Sequence, residues 1–168
     1  MTPEQESKEG LISGRGERIL VMDDEDAVRE VACEMLTNFG YEVGSARDGM
    51  EAIEAYIKAK ERGYPFDVVI TDLTVPGGMG GKELVRRLLE TDPDVKAIVC
   101  SGYSSGSILS DLRERGFTDV VTKPYRAEEL SSSCTGYYTL LLDDCAKTGR
   151  PGNYTPTRIL VNFIGNKL

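Results

Sequence analysis

Apolar residues in this chain fall into two patterns that alternate with each other. Short continuous runs, Ile19-Leu20-Val21-Met22, Val68-Val69-Ile70 and Val95-Lys96-Ala97-Ile98-Val99-Cys100, have the length and Val/Ile content of strands covered on both faces of a sheet. The middle run is read as a strand from Phe66 to Asp72, stopped by Pro76 and the glycines after it. Between such runs, apolar residues return at helical spacing. Val28, Val31, Ala32, Met35, Leu36 and Phe39 predict a helix over Asp26–Asn38, with Asp26 as N-cap and Gly40 closing it in a left-handed conformation. Ala52, Ile53, Tyr56 and Ile57 predict a second helix, opened by Asp48-Gly49 and ended near Gly63. Leu84, Val85, Leu88 and Leu89 predict a third over Lys82–Glu90, and Ile108, Leu109 and Leu112 a fourth that stops at Gly116. Tyr41–Ala46 and Asp119–Thr122 complete a set of five strands. A fifth helix is expected from Ala127 through Leu130, Cys134, Tyr137, Tyr138, Leu141 and Cys145, although its Ser and Gly content lowers its propensity. Strand and helix alternating in this way imply a parallel α/β sheet with helices on both faces and right-handed crossovers. Residues 1–17 read as a flexible linker or lead-in, 18–147 as the folded domain and 148–168 as a tail with a candidate strand at Ile159–Ile164.

Polar residues gather where the strands end. Asp23-Asp24 follow the first strand, Asp72 closes the third, Ser101 follows the fourth and Lys123 the fifth. All lie at the carboxyl edge, where ligands bind in open α/β sheets. Taken singly, each has an ordinary explanation: an Asx-turn for Asp72, a loop start or helix cap for Asp23 and Asp24, a turn hydroxyl for Ser101, a solvated lysine for Lys123. Taken together, three clustered carboxylates raise one another's pKa unless a cation sits among them. A hard divalent ion with oxygen ligands, Mg²⁺ above all, is the economical solution, and its open positions suit the oxygens of a phosphoryl group. Asp72 is then the candidate nucleophile, forming an acyl phosphate. Lys123 would neutralise charge on the transferring oxygens, and Ser101 would donate a hydrogen bond to one of them.

Composition narrows the field. The formal charge of −8, with no basic cluster, argues against nucleic acid or an anionic membrane as partner. No apolar run approaches the roughly 20 residues of a membrane span, and the opening residues lack a signal peptide's basic start, so a cytoplasmic location is expected. The chain has no histidine, which removes Ser-His and Cys-His nucleophile pairs and any role as a phosphohistidine donor. Cys33, Cys100, Cys134 and Cys145 have no CxxC spacing and are expected as free thiols, with a Cys134–Cys145 pairing left open. Gly14-Arg15-Gly16 precedes the first strand, whereas a dinucleotide fingerprint follows it.

From Arg18 to about Leu130 the chain resembles the receiver domain of two-component response regulators. The resemblance is carried by Asp23-Asp24, by Asp72 with Pro76 four residues on, by Ser101-Gly102 and by Lys123-Pro124, each after its strand. It implies a flavodoxin-like, doubly wound sheet of five parallel strands in 2-1-3-4-5 order. It implies Mg²⁺ held by Asp24, Asp72 and the main-chain carbonyl of Thr74, with Asp23 acting through water, and a cis peptide before Pro124 that aims Lys123. The phosphoryl group would come from the phosphohistidine of a histidine kinase or phosphotransfer protein. The domain would be no general enzyme, catalysing only its own phosphorylation and dephosphorylation. Thr74, Gly102, Tyr103, Val120 and Pro124 fall on the parts that would respond. Receivers of this look, after a stretch like Gly14-Arg15-Gly16-Glu17, often end hybrid sensor kinases.

Two departures stand out. Val120 occupies the place, three residues before the lysine, where receivers carry an aromatic switch. The run Gly77-Gly78-Met79-Gly80-Gly81 is one residue longer than the usual loop and reads as a flexible turn, with a kinase-docking loop as the alternative. Two other functions share parts of this residue set. A phosphatase of the haloacid-dehalogenase kind would need a second Asp two residues beyond the nucleophile, where Thr74 stands. A docking module independent of phosphorylation would not need the acid, hydroxyl and lysine set. Roughly 20 residues beyond the fifth helix are too few for an output domain, so output is expected through the receiver surface or through chain elsewhere.

Overall fold

The structure is a computed structural model and describes residues 16–102 and 106–134. Strands β1 (Arg18–Met22), β2 (Glu42–Ala46), β3 (Val68–Asp72), β4 (Ala97–Ser101) and β5 (Asp119–Thr122) alternate with helices α1 (Asp26–Asn38), α2 (Gly49–Glu61), α3 (Gly81–Thr91) and α4 (Gly106–Glu114). A further helical stretch, α5, covers 127–134. The strands form one parallel sheet in the order β2-β1-β3-β4-β5. Class and strand order agree with the expectation.

Strand alternation sorts the apolar residues between two layers of helix. Ile19 and Val21 of β1, with Val68 and Ile70 of β3, face Ala32 and Leu36 of α1 and Leu130 of α5. Leu20, Met22 and Val69 point the other way, onto Ala52 and Tyr56 of α2 and Leu84 and Leu88 of α3. Val99 of β4 meets Val85, Leu112 and Phe117 on that second side. Both faces of the central strands are therefore covered, which is why their sequences read as unbroken apolar runs. Each fully buried Leu or Ile contributes on the order of 1.5–3 kcal/mol.

Local signals succeed unevenly. Gly40 has φ of +89°, the left-handed closure expected after α1. Asp48 caps α2, its carboxylate accepting the Glu51 N–H at 3.0 Å, while the Glu51 carboxylate accepts the Arg47 N–H at 2.6 Å. Asp26, in contrast, is not an N-cap. It is the first residue of α1, Glu25 occupies the cap without a side-chain bond, and the Asp26 carboxylate pairs with Arg29. The reason lies upstream: Asp23 Oδ1 accepts the Glu25 N–H at 3.0 Å and so forms the turn that the cap would have made. Val31, expected on the inner face of α1, is 48% exposed, because the helix presents Ala32 and Leu36 to the sheet. Ser101 belongs to β4 itself, which runs Ala97–Ser101.

The glycine run after β3 forms a turn with backbone hydrogen bonds at both ends. Gly78 N–H donates to Val75 O at 3.2 Å, Gly81 N–H to Leu73 O at 3.2 Å, and Gly49 N–H to Met79 O at 2.9 Å. Cys33, Cys100 and Cys134 are free thiols, and among the described residues no helix is long and apolar enough to cross a membrane. Tyr103, the fifth-helix positions from Tyr137 to Cys145, the candidate strand Ile159–Ile164 and residues 1–15 lie outside the described residues.

A Cβ on Gly81 would lie 2.5 Å from the Asp72 carbonyl oxygen and 2.8 Å from Thr71 Oγ1, so α3 starts hard against the end of β3. Gly81→Ala is expected to destabilise the domain by about 1–3 kcal/mol through this overpacking. Urea unfolding measures it, and an unchanged midpoint would contradict the close approach.

Candidate functional site

Sheet register brings the strand-end residues together. Met22 lies opposite Thr71, so Asp23 and Asp72 leave neighbouring strands at the same level. Asp72 lies opposite Cys100 on the next strand, and Ser101 opposite Thr122 on the one after. Lys123 N–H donates to Ser101 O at 2.9 Å, extending the β4–β5 pairing by one residue. From there the Lys123 side chain reaches across β4 to the acids. Its Nζ lies 2.8 Å from Asp23 Oδ2 and 3.6 Å from Asp72 Oδ1.

Asp23 is held from every side. It is 5% exposed, and its N–H donates to Ala46 O at 3.2 Å. Its carbonyl accepts Arg29 Nη1 at 2.7 Å, Oδ1 accepts the Glu25 N–H at 3.0 Å, and Oδ2 takes Lys123. Asp24 beside it is exposed, and Asp72 is half-buried with Oδ1 accepting the Leu73 N–H at 2.8 Å. One oxygen from each of Asp23, Asp24 and Asp72 lies within 4.8 Å of the others.

The charges are out of balance. Burial pushes the Asp72 carboxyl above its ordinary range; Lys123 pulls it down, Asp23 and Asp24 push it up, the Leu73 N–H lowers it, and the net direction is upward. For Lys123, burial alone would lower the pKa, but the hydrogen bond and charge of Asp23, with the charge of Asp72, outweigh it and hold the ammonium above its ordinary value. One ammonium thus faces three carboxylates. Such a cluster has the charge to suit a divalent cation. The donors are all oxygen, and Asp24 and Thr74 open to solvent, so the residues present fit Mg²⁺. Asp23 has both carboxylate oxygens engaged, which suits contact through water better than direct ligation.

The remaining positions fall as follows. Ser101 is buried at the end of β4, with Gly102 exposed just beyond it. Thr74 is exposed in the loop after β3, and the Lys123–Pro124 peptide is cis. Val120 is half-buried in β5 and packs against the cluster of Val85, Val99 and Leu112, on the α3–α4 side of the sheet. Cys100, beside Asp72, is no rival nucleophile, since burial pushes its thiol up to about 12. Sequence reasoning missed Arg29, whose guanidinium clamps the Asp23 carbonyl and pairs with Asp26. It is the one basic residue of α1, three positions from Asp26, and that spacing was the available signal.

A five-stranded parallel sheet with acids after its first strand and at the end of its third, and a lysine from the fifth laid between them, defines a phosphoacceptor signalling module. Residues 19–135 match the response regulator receiver domain, and the chain belongs to that family. It is 33% identical over 112 residues to chemotaxis protein CheY of Thermotoga maritima, covering 66% of this chain and 88% of that protein. It is 34% identical over 115 residues to sensor kinase CckA of Brucella abortus, covering 68% of this chain and 12% of the kinase. Among solved structures, chemotaxis protein CheY4 of Vibrio cholerae is similar with a TM-score of 0.62 at 28% identity, over 74% of this chain and 96% of that one. The chain is thus a receiver domain of two-component signalling.

The raised Asp72 pKa has a consequence for stability. The folded protein holds the Asp72 proton to higher pH than the unfolded chain does, so stability falls as pH rises from the ordinary aspartate value of 3.8 through the raised one. Asp72→Asn is therefore expected to raise the Tm of the metal-free protein at neutral pH, with the gain disappearing below the ordinary aspartate range. Calorimetry in the presence of a chelator checks it, and a lowered Tm at neutral pH would contradict the assignment.

Proposed function

We propose that Asp72 accepts the phosphoryl group, and that Lys123, Ser101, Asp23, Asp24 and the carbonyl of Thr74 serve it. The observation that carries this reading is the Lys123 ammonium, 2.8 Å from Asp23 and 3.6 Å from Asp72 in a pocket of three acids. An Asp72 carboxylate oxygen attacks the phosphorus of a phosphohistidine on the partner. The P–N bond breaks, its electron pair returns to the imidazole nitrogen, and an acyl phosphate forms on Asp72. Lys123 balances charge on the phosphoryl oxygens, and the Ser101 hydroxyl donates a hydrogen bond to one of them. Asp24, Asp72 and the Thr74 carbonyl would hold Mg²⁺, with Asp23 behind a water; the ion supplies neutralisation of the phosphoryl oxygens.

Because the chain contains no histidine, the donor belongs to another molecule or another segment: a histidine kinase or a phosphotransfer protein. The likeness to a sensor kinase, of which this chain spans 12%, is compatible with a receiver attached to a kinase. Thr74, standing where a haloacid-dehalogenase phosphatase needs its general acid, argues for a switch over an enzyme of sustained turnover. Val120 cannot swing a ring between buried and exposed positions, so the response to phosphorylation runs through Ser101, drawn toward the phosphoryl group, and the loop that follows it from Gly102 and Tyr103.

Acetyl phosphate with Mg²⁺ provides the test. Wild type is expected to gain one phosphoryl group by intact-mass spectrometry, while Asp72→Asn, or wild type with chelator, gains none. Equal uptake by Asp72→Asn would overturn the assignment.

A further inference from the structure

The loop from Leu73 to Gly80 folds back on itself, with the Val75 side chain against Gly78 and Gly80 set directly on backbone. A Cβ on Gly80 would lie 2.7 Å from the Leu73 carbonyl oxygen, 3.4 Å from the Val75 nitrogen and 3.5 Å from Thr74 Cα. The returning limb therefore rests on the backbone of residues 73–75. Met79, just before it, is fastened to the first turn of α2. The Gly49 N–H donates to Met79 O at 2.9 Å. A Cβ on Gly49 would lie 2.6 Å from Met79 Cγ, 2.8 Å from Sδ and 2.9 Å from Cβ, so the Met79 side chain is seated on the bare Cα of a buried glycine. That turn of α2 is itself fixed by the Asp48 cap. A continuous line of contact runs from α2 through Met79 and Gly80 to Thr74.

We infer that Met79, seated on Gly49, is a positioning residue for the metal site, setting where the main-chain carbonyl of Thr74 stands. The inference rests on the reading of that carbonyl as a Mg²⁺ ligand. Mg²⁺ tolerates little departure from octahedral geometry, and a main-chain carbonyl has no rotamer with which to follow a displaced loop. Its place is set by what the loop leans on. Gly80 and Gly81 are the positions where a side chain would prop the loop away from β3, which gives the glycine run a purpose other than flexibility. Outer supports of this kind typically change metal affinity by about 10–100-fold when removed.

Calorimetric titration of Mg²⁺ into the full chain tests it with wild type, Gly49→Ala, Met79→Ala and the double variant. Gly49→Ala is expected to weaken binding about tenfold by unseating Met79, although alanine is the better helix former. Met79→Ala, which introduces no clash, also weakens binding. In the double variant the two closest atoms, Met79 Cγ and Sδ, are gone and only the Cβ at position 79 remains near the added methyl group, so adding Gly49→Ala to Met79→Ala costs clearly less affinity than adding it to wild type. Wild-type affinity in either single variant, or the same tenfold loss in both backgrounds, would overturn the inference while leaving the metal site standing. No Mg²⁺ binding by wild type, or undiminished binding by Asp24→Asn, would remove the metal reading and this inference with it.

Discussion

Three carboxylates meet at the carboxyl edge of the sheet, and among the described residues a single ammonium, from Lys123, pairs with two of them, Asp23 and Asp72. Most of the architecture can be traced to what that arrangement requires. Like charges this close are tolerable only with compensation, and one lysine compensates in part. The remaining negative charge is what makes the acid cluster a fit for a divalent cation. Burial first, and the charges of Asp23 and Asp24 after it, leave the metal-free domain with a cost for ionising Asp72, as active sites commonly have.

Holding the acids together falls to the sheet. β1 and β3 lie side by side in register, so Asp23 and Asp72 emerge at one level, and β5 lies far enough across for a lysine side chain to span the gap. Because both faces of the central strands are buried, slipping a strand by one residue would exchange its two side-chain sets between unlike helix layers. The same burial that stabilises the fold therefore fixes the separation of Lys123 from Asp23 and Asp72. Arg29 and the Glu25 N–H then hold the loop bearing Asp23 and Asp24 from outside.

Much of this was legible in the sequence because strands buried on both faces leave a plain trace. Ile19–Met22 and Val68–Ile70 admit few other readings, and once five strands alternate with helices, the residues after them share an edge. That logic brought Asp23 and Lys123 together, 100 positions apart in the chain, without any contact being visible. What stayed hidden depends on geometry finer than a period. Asp26 has a good cap's chemistry, yet Asp23 had already made the turn; Val31 has a core residue's chemistry, yet lies around the helix from the sheet. The glycine run has a flexible linker's composition, but Gly80 and Gly81 serve close backbone approach and Gly77 a left-handed turn, which composition does not distinguish from looseness. The support given by Arg29 likewise depends on which carbonyl its guanidinium meets.

Of the three carboxylates, Asp72 is the one proposed to carry the phosphoryl group, with Asp23 and Asp24 serving it. Borohydride reduction after treatment with acetyl phosphate and Mg²⁺, followed by peptide mass spectrometry, addresses this directly, since an acyl phosphate is reduced to the alcohol at the residue that bears it. Conversion of Asp72 to homoserine, with Asp23 and Asp24 unchanged, is the result predicted. Conversion at Asp23 or Asp24, or at none of the three, would contradict it.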